Sequence, residues 1–173
     1  MKCLLFSIVL LLTISCNNEK KEEPKKPAPE KPAPVLTDTF SLIREKIKAI
    51  DEIENPEKKQ FEISCGKKIK VDYTRHNGEV VRIAVDFLKE GDKEIKADYY
   101  YDRDSLIYIF EVVRTPDRDQ KTYSSYIAND KVIRYFWNHG ESQCKKCEFN
   151  ASSKEYKLLK ANTVAEIEAV LCR

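Results

Sequence analysis

Hydrophobic residues recur along this chain with two different periods. Between positions 40 and 53, Phe40, Ile43, Ile47, Ile50 and Ile53 fall three or four residues apart, the spacing of one helix face. Thr37 or Asp38 can cap that helix, because a short side-chain oxygen accepts from first-turn N–H groups that lack carbonyl partners, and Asn55-Pro56 stops it. The period then drops to two. Phe61, Ile63 and Cys65 alternate with Gln60, Glu62 and Ser64, and Ile69, Val71 and Tyr73 alternate with Lys68, Lys70, Asp72 and Thr74. Successive strand side chains point to opposite faces, so this alternation predicts strands with one buried side.

His76-Asn77-Gly78-Glu79 joins the second run to Val81, Ile83, Val85 and Phe87. Asn-Gly between alternating runs predicts a type I′ hairpin, since both central residues need positive φ. Gly91 marks a further turn before Ile95, Ala97, Tyr99 and Tyr101, and Asp102-Arg103-Asp104-Ser105 turns the chain into Leu106 to Val113. That strand is apolar on both faces and is expected at the centre of the sheet. Thr115-Pro116-Asp117 breaks it, and residues 121–128 and 132–137 form a last hairpin around Asn129-Asp130, with Gly140 ending the final strand. Ser152-Ser153-Lys154-Glu155 and Thr163-Val164-Ala165-Glu166 both read as capping boxes, opening one kinked helix or two. The expected fold is α+β: an N-terminal helix, an antiparallel meander of six or seven strands, and a C-terminal helix or helix pair. The helices are expected to cover one sheet face and leave a tyrosine-bearing face partly open. No internal repeat is evident beyond a shared tyrosine content of the hairpins.

The ends of the chain read differently. Lys2 precedes an apolar stretch of about a dozen residues that stops at Cys16, too short for a membrane-spanning helix of about 20 residues and suited to a signal peptide, residues 1–15. Residues 16–36 then carry the candidate anchor Cys16 and a tether holding five of the seven prolines, with Lys-Pro-Ala-Pro repeats and no aromatic residue. Such a segment has too little to bury to offset its ordering entropy and favours an extended chain. Residues 37–173 form the single expected domain.

Thr13-Ile14-Ser15-Cys16 resembles the lipobox of bacterial lipoproteins of Gram-negative type, departing from it in that Leu12 lies four rather than three residues before the cysteine. The resemblance covers only these first residues. It implies a diacylglycerol thioether on Cys16, palmitate-type acylation of the new amino group, and a membrane partner reached through the lipid. Asn17 resembles the outer-membrane sorting signal, which implies anchoring on the periplasmic face or the cell surface.

Composition narrows the functional classes. The chain has 31 Lys+Arg against 29 Asp+Glu; Lys2 and one net positive charge in the tether account for the excess, leaving the domain neutral. No basic excess marks a nucleic-acid partner. Four glycines and two histidines supply little for phosphate cradles, histidine catalysis or a metal centre, and no cofactor is expected. Ser142-Gln143-Cys144-Lys145 matches Ser-x-x-Lys without companion motifs, and His76 and His139 sit at expected turns. Asp86, Asp98, Asp102 and Asp104 could gather for calcium or serve as ordinary turn chemistry.

Beyond Cys3 and Cys16, four cysteines remain: Cys65, Cys144, Cys147 and Cys172. An even count in an exported domain favours two disulfides, ahead of a zinc site or a redox Cys-x-x-Cys. The favoured pairing joins each distant cysteine to the Cys-x-x-Cys pair; the other joins Cys144 to Cys147 and Cys65 to Cys172. Tyr126, Tyr135 and Trp137 can share one face of the last hairpin and form a binding face, or they are cross-strand packing. The expected function is a membrane-tethered extracytoplasmic binding module for a protein, peptide or glycan, including inhibitors of hydrolases. An envelope enzyme and an outer-membrane assembly accessory are the alternatives.

Overall fold

The computed structural model describes residues 38–87, 93–117 and 119–172, and all elements belong to one unit, Leu36–Arg173. The signal peptide, Cys16, the tether and the Gly91 turn lie outside the described residues. Helix α1 (Thr39–Asp51) precedes strands β1 (Glu57–Ser64), β2 (Lys68–His76), β3 (Glu79–Asp86), β4 (Glu94–Asp102), β5 (Ser105–Arg114), β6 (Gln120–Ala128), β7 (Lys131–Trp137) and β8 (Gly140–Glu141). Helices α2 (Lys154–Lys160) and α3 (Val164–Leu171) follow. The strands form one antiparallel sheet in chain order, so the α+β meander stands with eight strands instead of six or seven. The added strand is two residues long, too short to show any alternation. Gly140 begins it after a turn with Asn138 and His139 at φ 45° and 69°.

The hairpins turn out to repeat. Asn77-Gly78, Arg103-Asp104 and Asn129-Asp130 all have positive φ at both turn residues, the twist that suits a two-residue hairpin. Each turn is followed by the same fault in the ladder: Arg75 pairs with Val80 and Thr74 with Arg82, Tyr101 with Leu106 and Tyr100 with Tyr108, Ile127 with Val132 and Tyr126 with Arg134. The extra residues are Val81, Ile107 and Ile133, a constant interval of 26. A bulge reverses the in–out phase. Val80 therefore enters the core where alternation pointed to Val81, and Ile133 is turned to solvent at 41% exposure. Superposing the three copies by register aligns Asp72-Tyr73, Asp98-Tyr99 and Ser124-Ser125, and later Ile83, Ile109 and Tyr135. The repeat escaped the periodicity analysis because what recurs is backbone geometry with tolerant side chains.

The helices divide between the two faces, contrary to the one-sided cover expected. Asp38 caps α1, accepting from Ser41 N–H at 2.7 Å. Ile43 and its neighbours Ile47 and Ile50 pack on Tyr100, Ile107, Tyr108 and Tyr126. Arg82 fixes the end of that helix: it donates to Asp98 at 2.7 and 3.0 Å and lies 3.7 Å from Asp51, which also accepts from Tyr100 Oη at 3.0 Å. On the other face, α2 and α3 close a larger core through Leu158 and Ile167 against Ile69, Val71, Tyr73, Ile83, Val85, Tyr99 and Tyr101. As expected, consecutive Tyr99, Tyr100 and Tyr101 serve both faces, and β5 is buried on both.

Two separate C-terminal helices form. The second capping box is real: Thr163 Oγ1 accepts from Glu166 N–H, and Glu166 accepts from Thr163 N–H. The first is not, because the N-cap is Ser153, and Glu155 turns away from the helix start toward Lys146.

The disulfides are Cys65–Cys172 and Cys144–Cys147, with Cα separations of 5.2 and 5.4 Å. The favoured cross-pairing is thereby corrected. Strands lie about 4.8 Å apart, so the β1 edge and the β7 edge are separated by roughly 30 Å. Cys65 leaves β1 and Cys172 ends α3, which packs beside β1; the Cys-x-x-Cys loop lies beyond β7.

Candidate functional site

Residues opposite one another in an antiparallel ladder share a face. On the α2–α3 face one row therefore runs Phe61, Val71, Val85, Ala97, Glu111, Tyr123, Trp137, and the next runs Tyr73, Ile83, Tyr99, Ile109, Ser125, Tyr135. The helices cover the aliphatic part of both rows. Past β5 the cover stops, and a cleft of about 280 Å³ opens over Glu111, Tyr123, Ser125 and Tyr135.

The cleft wall comes from the chain after β8. Its backbone is pinned along β7: Ser142 N–H donates to Tyr135 O at 2.9 Å, Val132 N–H to Cys147 O at 2.8 Å, and Phe149 N–H to Asp130 O at 2.8 Å. The segment masks the strand edge and holds the disulfide loop Cys144-Lys145-Lys146-Cys147 at the rim. Lys146 Nζ donates to Glu155 Oε2 at 2.8 Å and lies 4.4 Å from the Phe149 ring centroid. The Glu155 side chain is only 3% exposed, so this ammonium supplies the countercharge a buried carboxylate requires. Lys145 and Lys154 also line the cleft, and Lys154 Nζ lies 5.8 Å from the Tyr99 ring centroid.

The floor carries an acid among phenols. Glu111 faces Tyr123 across the ladder. Burial raises the pKa of Tyr99 and Tyr135 above the ordinary phenol value, and the charge of Glu111 adds to it, after Tyr123 in the case of Tyr135. Tyr73 and Tyr101 donate to Leu158 O and Glu155 O at 2.8 and 2.9 Å. The fully buried Tyr99 hydroxyl has no hydrogen-bond partner among the described residues.

The structure divides the expected aromatic face. Tyr135 and Trp137 share the cleft side, with Trp137 49% exposed. Tyr126 lies on the opposite side, opposite Arg134 and packed edge-on against Phe40 at 4.6 Å. The bulge at Ile133 causes this division: without it Ser124, on the same face as Tyr126, would stand opposite Tyr135, whereas with it Ser125 does. Tyr126 helps line a second groove of about 330 Å³ with Phe40, Arg44, Tyr108, Phe136 and His139.

The other sequence candidates disperse. Asp98 pairs with Arg82, Asp102 with Lys46, and Asp86 with Lys96. No group of three or more His, Cys, Asp or Glu side chains suited to a metal occurs among the described residues. His76 ends β2 and is exposed, and His139 occupies the β7–β8 turn. Within Ser142-x-x-Lys145, Cys144 is committed to a disulfide. Sequence reasoning missed Glu111, Tyr123, Ser125 and Lys154. Glu111 had a signal, being the only charged residue between Leu106 and Val113. The others acquire meaning only from the register. No protein-family model, curated protein or solved structure matches the chain.

Proposed function

We propose that this protein is a lipid-anchored extracytoplasmic binding module, presenting the β5–β7 end of its sheet to a ligand at the outer membrane. The observation that carries the reading is the cleft over Glu111, Tyr123, Ser125 and Tyr135, walled by the lysine-bearing disulfide loop. Tyrosine and tryptophan give contact area at little conformational cost, and polar groups around them fix orientation. The exposed Trp137 beside the cleft is the chain's single tryptophan. The lipobox-like Cys16 and proline-rich tether support placement at a membrane with the domain held away from the bilayer, and the paired cysteines accord with an oxidising compartment.

The test is crosslinking and affinity capture in intact cells, comparing the parent with the Tyr135→Ala, Trp137→Ala double variant. A specific partner lost in the variant is expected; identical partner sets would remove the aromatic end as the binding surface. Cys16→Ser should shift the protein from the membrane fraction to the soluble fraction, and unchanged fractionation would remove the lipid anchor.

A further inference from the structure

The cleft contains a charge that the architecture itself does not call for. Glu111 occupies the repeat position held by Val85 in the first copy and Trp137 in the third, on the face that elsewhere builds the core. Its carboxylate is half-buried, and no ion pair or hydrogen bond engages it among the described residues. A local rule broken without compensation inside the fold points to a role outside folding. The repeat also replaces Tyr73 and Tyr99 by Ser125, and this small side chain leaves the floor open beneath Tyr123 and Tyr135. A second irregularity adjoins the first: the buried Tyr99 hydroxyl, unpartnered, lies within electrostatic reach of both Glu111 and Glu155.

We infer that the cleft is a recognition site for a small zwitterion, an amino acid or a dipeptide with both ends free. Its ammonium would sit at Glu111 among the tyrosines and its carboxylate at Lys145 and Lys154. The inference rests on the binding-module reading and names its ligand class. A carboxylate flanked by aromatic rings suits an organic ammonium ion, which gains both ion pairing and attraction to the ring faces. The two rim lysines suit the opposite charge as compact point cations. Lys146 is already committed to Glu155, so the acid and base left for a ligand stand on separate elements, Glu111 in the floor and Lys145 and Lys154 in the wall. That separation selects a ligand carrying both charges over one carrying either. A volume of about 280 Å³ lies at the small end of ligand pockets, which span about 300 to 1,000 Å³, and favours a dipeptide-sized ligand.

The experiment uses the full-length protein in detergent and three probes: the dipeptide Ala-Ala, its N-acetylated form and its C-terminal amide. Binding is followed by calorimetry and by Trp137 fluorescence. Ala-Ala is expected to bind, with at least tenfold weaker binding when either end is blocked. Glu111→Gln should weaken Ala-Ala at least tenfold while leaving the acetylated peptide unaffected; Lys154→Ala should do the same for Ala-Ala and leave the amide unaffected. Circular dichroism checks that each variant is folded, and if Glu111→Gln is not, the three probes on the parent protein decide alone. Failure of Ala-Ala to bind, or equal binding of all three probes, overturns the inference. If Ala-Ala fails while cellular capture still depends on Tyr135 and Trp137, the zwitterion site falls and the binding module stands; if both fail, both fall.

Discussion

The first and third copies of the hairpin repeat share a backbone plan and differ in what they place on the α2–α3 face. In the first, Val71, Tyr73, Ile83 and Val85 are essentially fully buried beneath the terminal helices, and Tyr73 donates to the carbonyl of Leu158. In the third, the aligned positions hold Tyr123, Ser125, Tyr135 and Trp137, and three of those four retain contact with solvent. One end of the sheet is therefore spent on cohesion and the other on surface. The middle copy grades between them, with Tyr99 and Ala97 buried and Glu111 at the boundary. A meander with no closure allows this gradient, because each strand needs only its two neighbours for backbone bonding, and helix cover decides which part of a face becomes core.

The largest expected test of this contrast uses the disulfides. Cys65–Cys172 spans 107 residues of chain and Cys144–Cys147 spans three. In the chain-entropy picture, replacing the first pair by serine costs about 4 to 5 kcal/mol and the second about 2 kcal/mol. Denaturant midpoints of the two double variants, measured without reductant, should keep that order. Equal losses would mean that the open end is as constrained as the core. Ile83→Ala should cost about 2 to 5 kcal/mol by transfer and cavity formation, whereas the register-equivalent Tyr135→Ala should cost about 1 kcal/mol or less. A Tyr135 loss matching that of Ile83 would turn the cleft back into packing. Lys146→Ala strips the countercharge from the buried Glu155 and is expected to cost about 1 to 3 kcal/mol by equilibrium denaturation. No measurable loss would show that the loop does not brace α2.

A pH titration sharpens the same comparison. Burial raises Tyr73 to about 12 and pushes Tyr99 and Tyr101 well above the ordinary value of 10. On the opposite face, burial raises Tyr108 to about 12. An unfolded phenol loses its proton near pH 10, so between 10 and 12 the unfolded chain binds fewer protons than the folded one and stability falls as pH rises. This contribution is fully present below pH 10. Absorbance at 295 nm should therefore show the core tyrosines ionising together with unfolding; ionisation ahead of unfolding would mean that they are solvated. The acid limb should be weaker. Ser41 N–H holds the Asp38 carboxyl below its usual range, and Asn162 N–H does the same for Glu166. Depressed carboxyl groups contribute stability above pH 4 and lose it as pH falls through their lowered values. Asp38→Asn should flatten this acid dependence, as read from melting curves between pH 2 and 5.

Local chemistry carried most of the fold into the sequence. Isoleucine spacing defined α1, alternation, apolar runs and turn residues defined six or seven strands, and Asn77-Gly78 defined its turn, because these depend on nearest-neighbour geometry and on which side chains tolerate positive φ. The same reasoning found the capping box at Thr163 and put Trp137 on one face with Tyr135. It failed wherever a residue's role depended on strands far away in sequence. Val81 was misplaced by the first bulge, Tyr126 was grouped with Tyr135 although the third bulge puts them on opposite faces, and Glu155 was assigned to a cap although it is buried beside Lys146.

The chain by itself thus determined the order of its elements, the neutral charge of its domain and the four cysteines available for pairing. Tertiary structure decided which cysteines meet, because the width of an eight-stranded sheet keeps its two edges apart. It also decided that one helix covers one face and two cover the other, and that Glu111, one acid among many in the sequence, stands among tyrosines at the point where the helix cover ends.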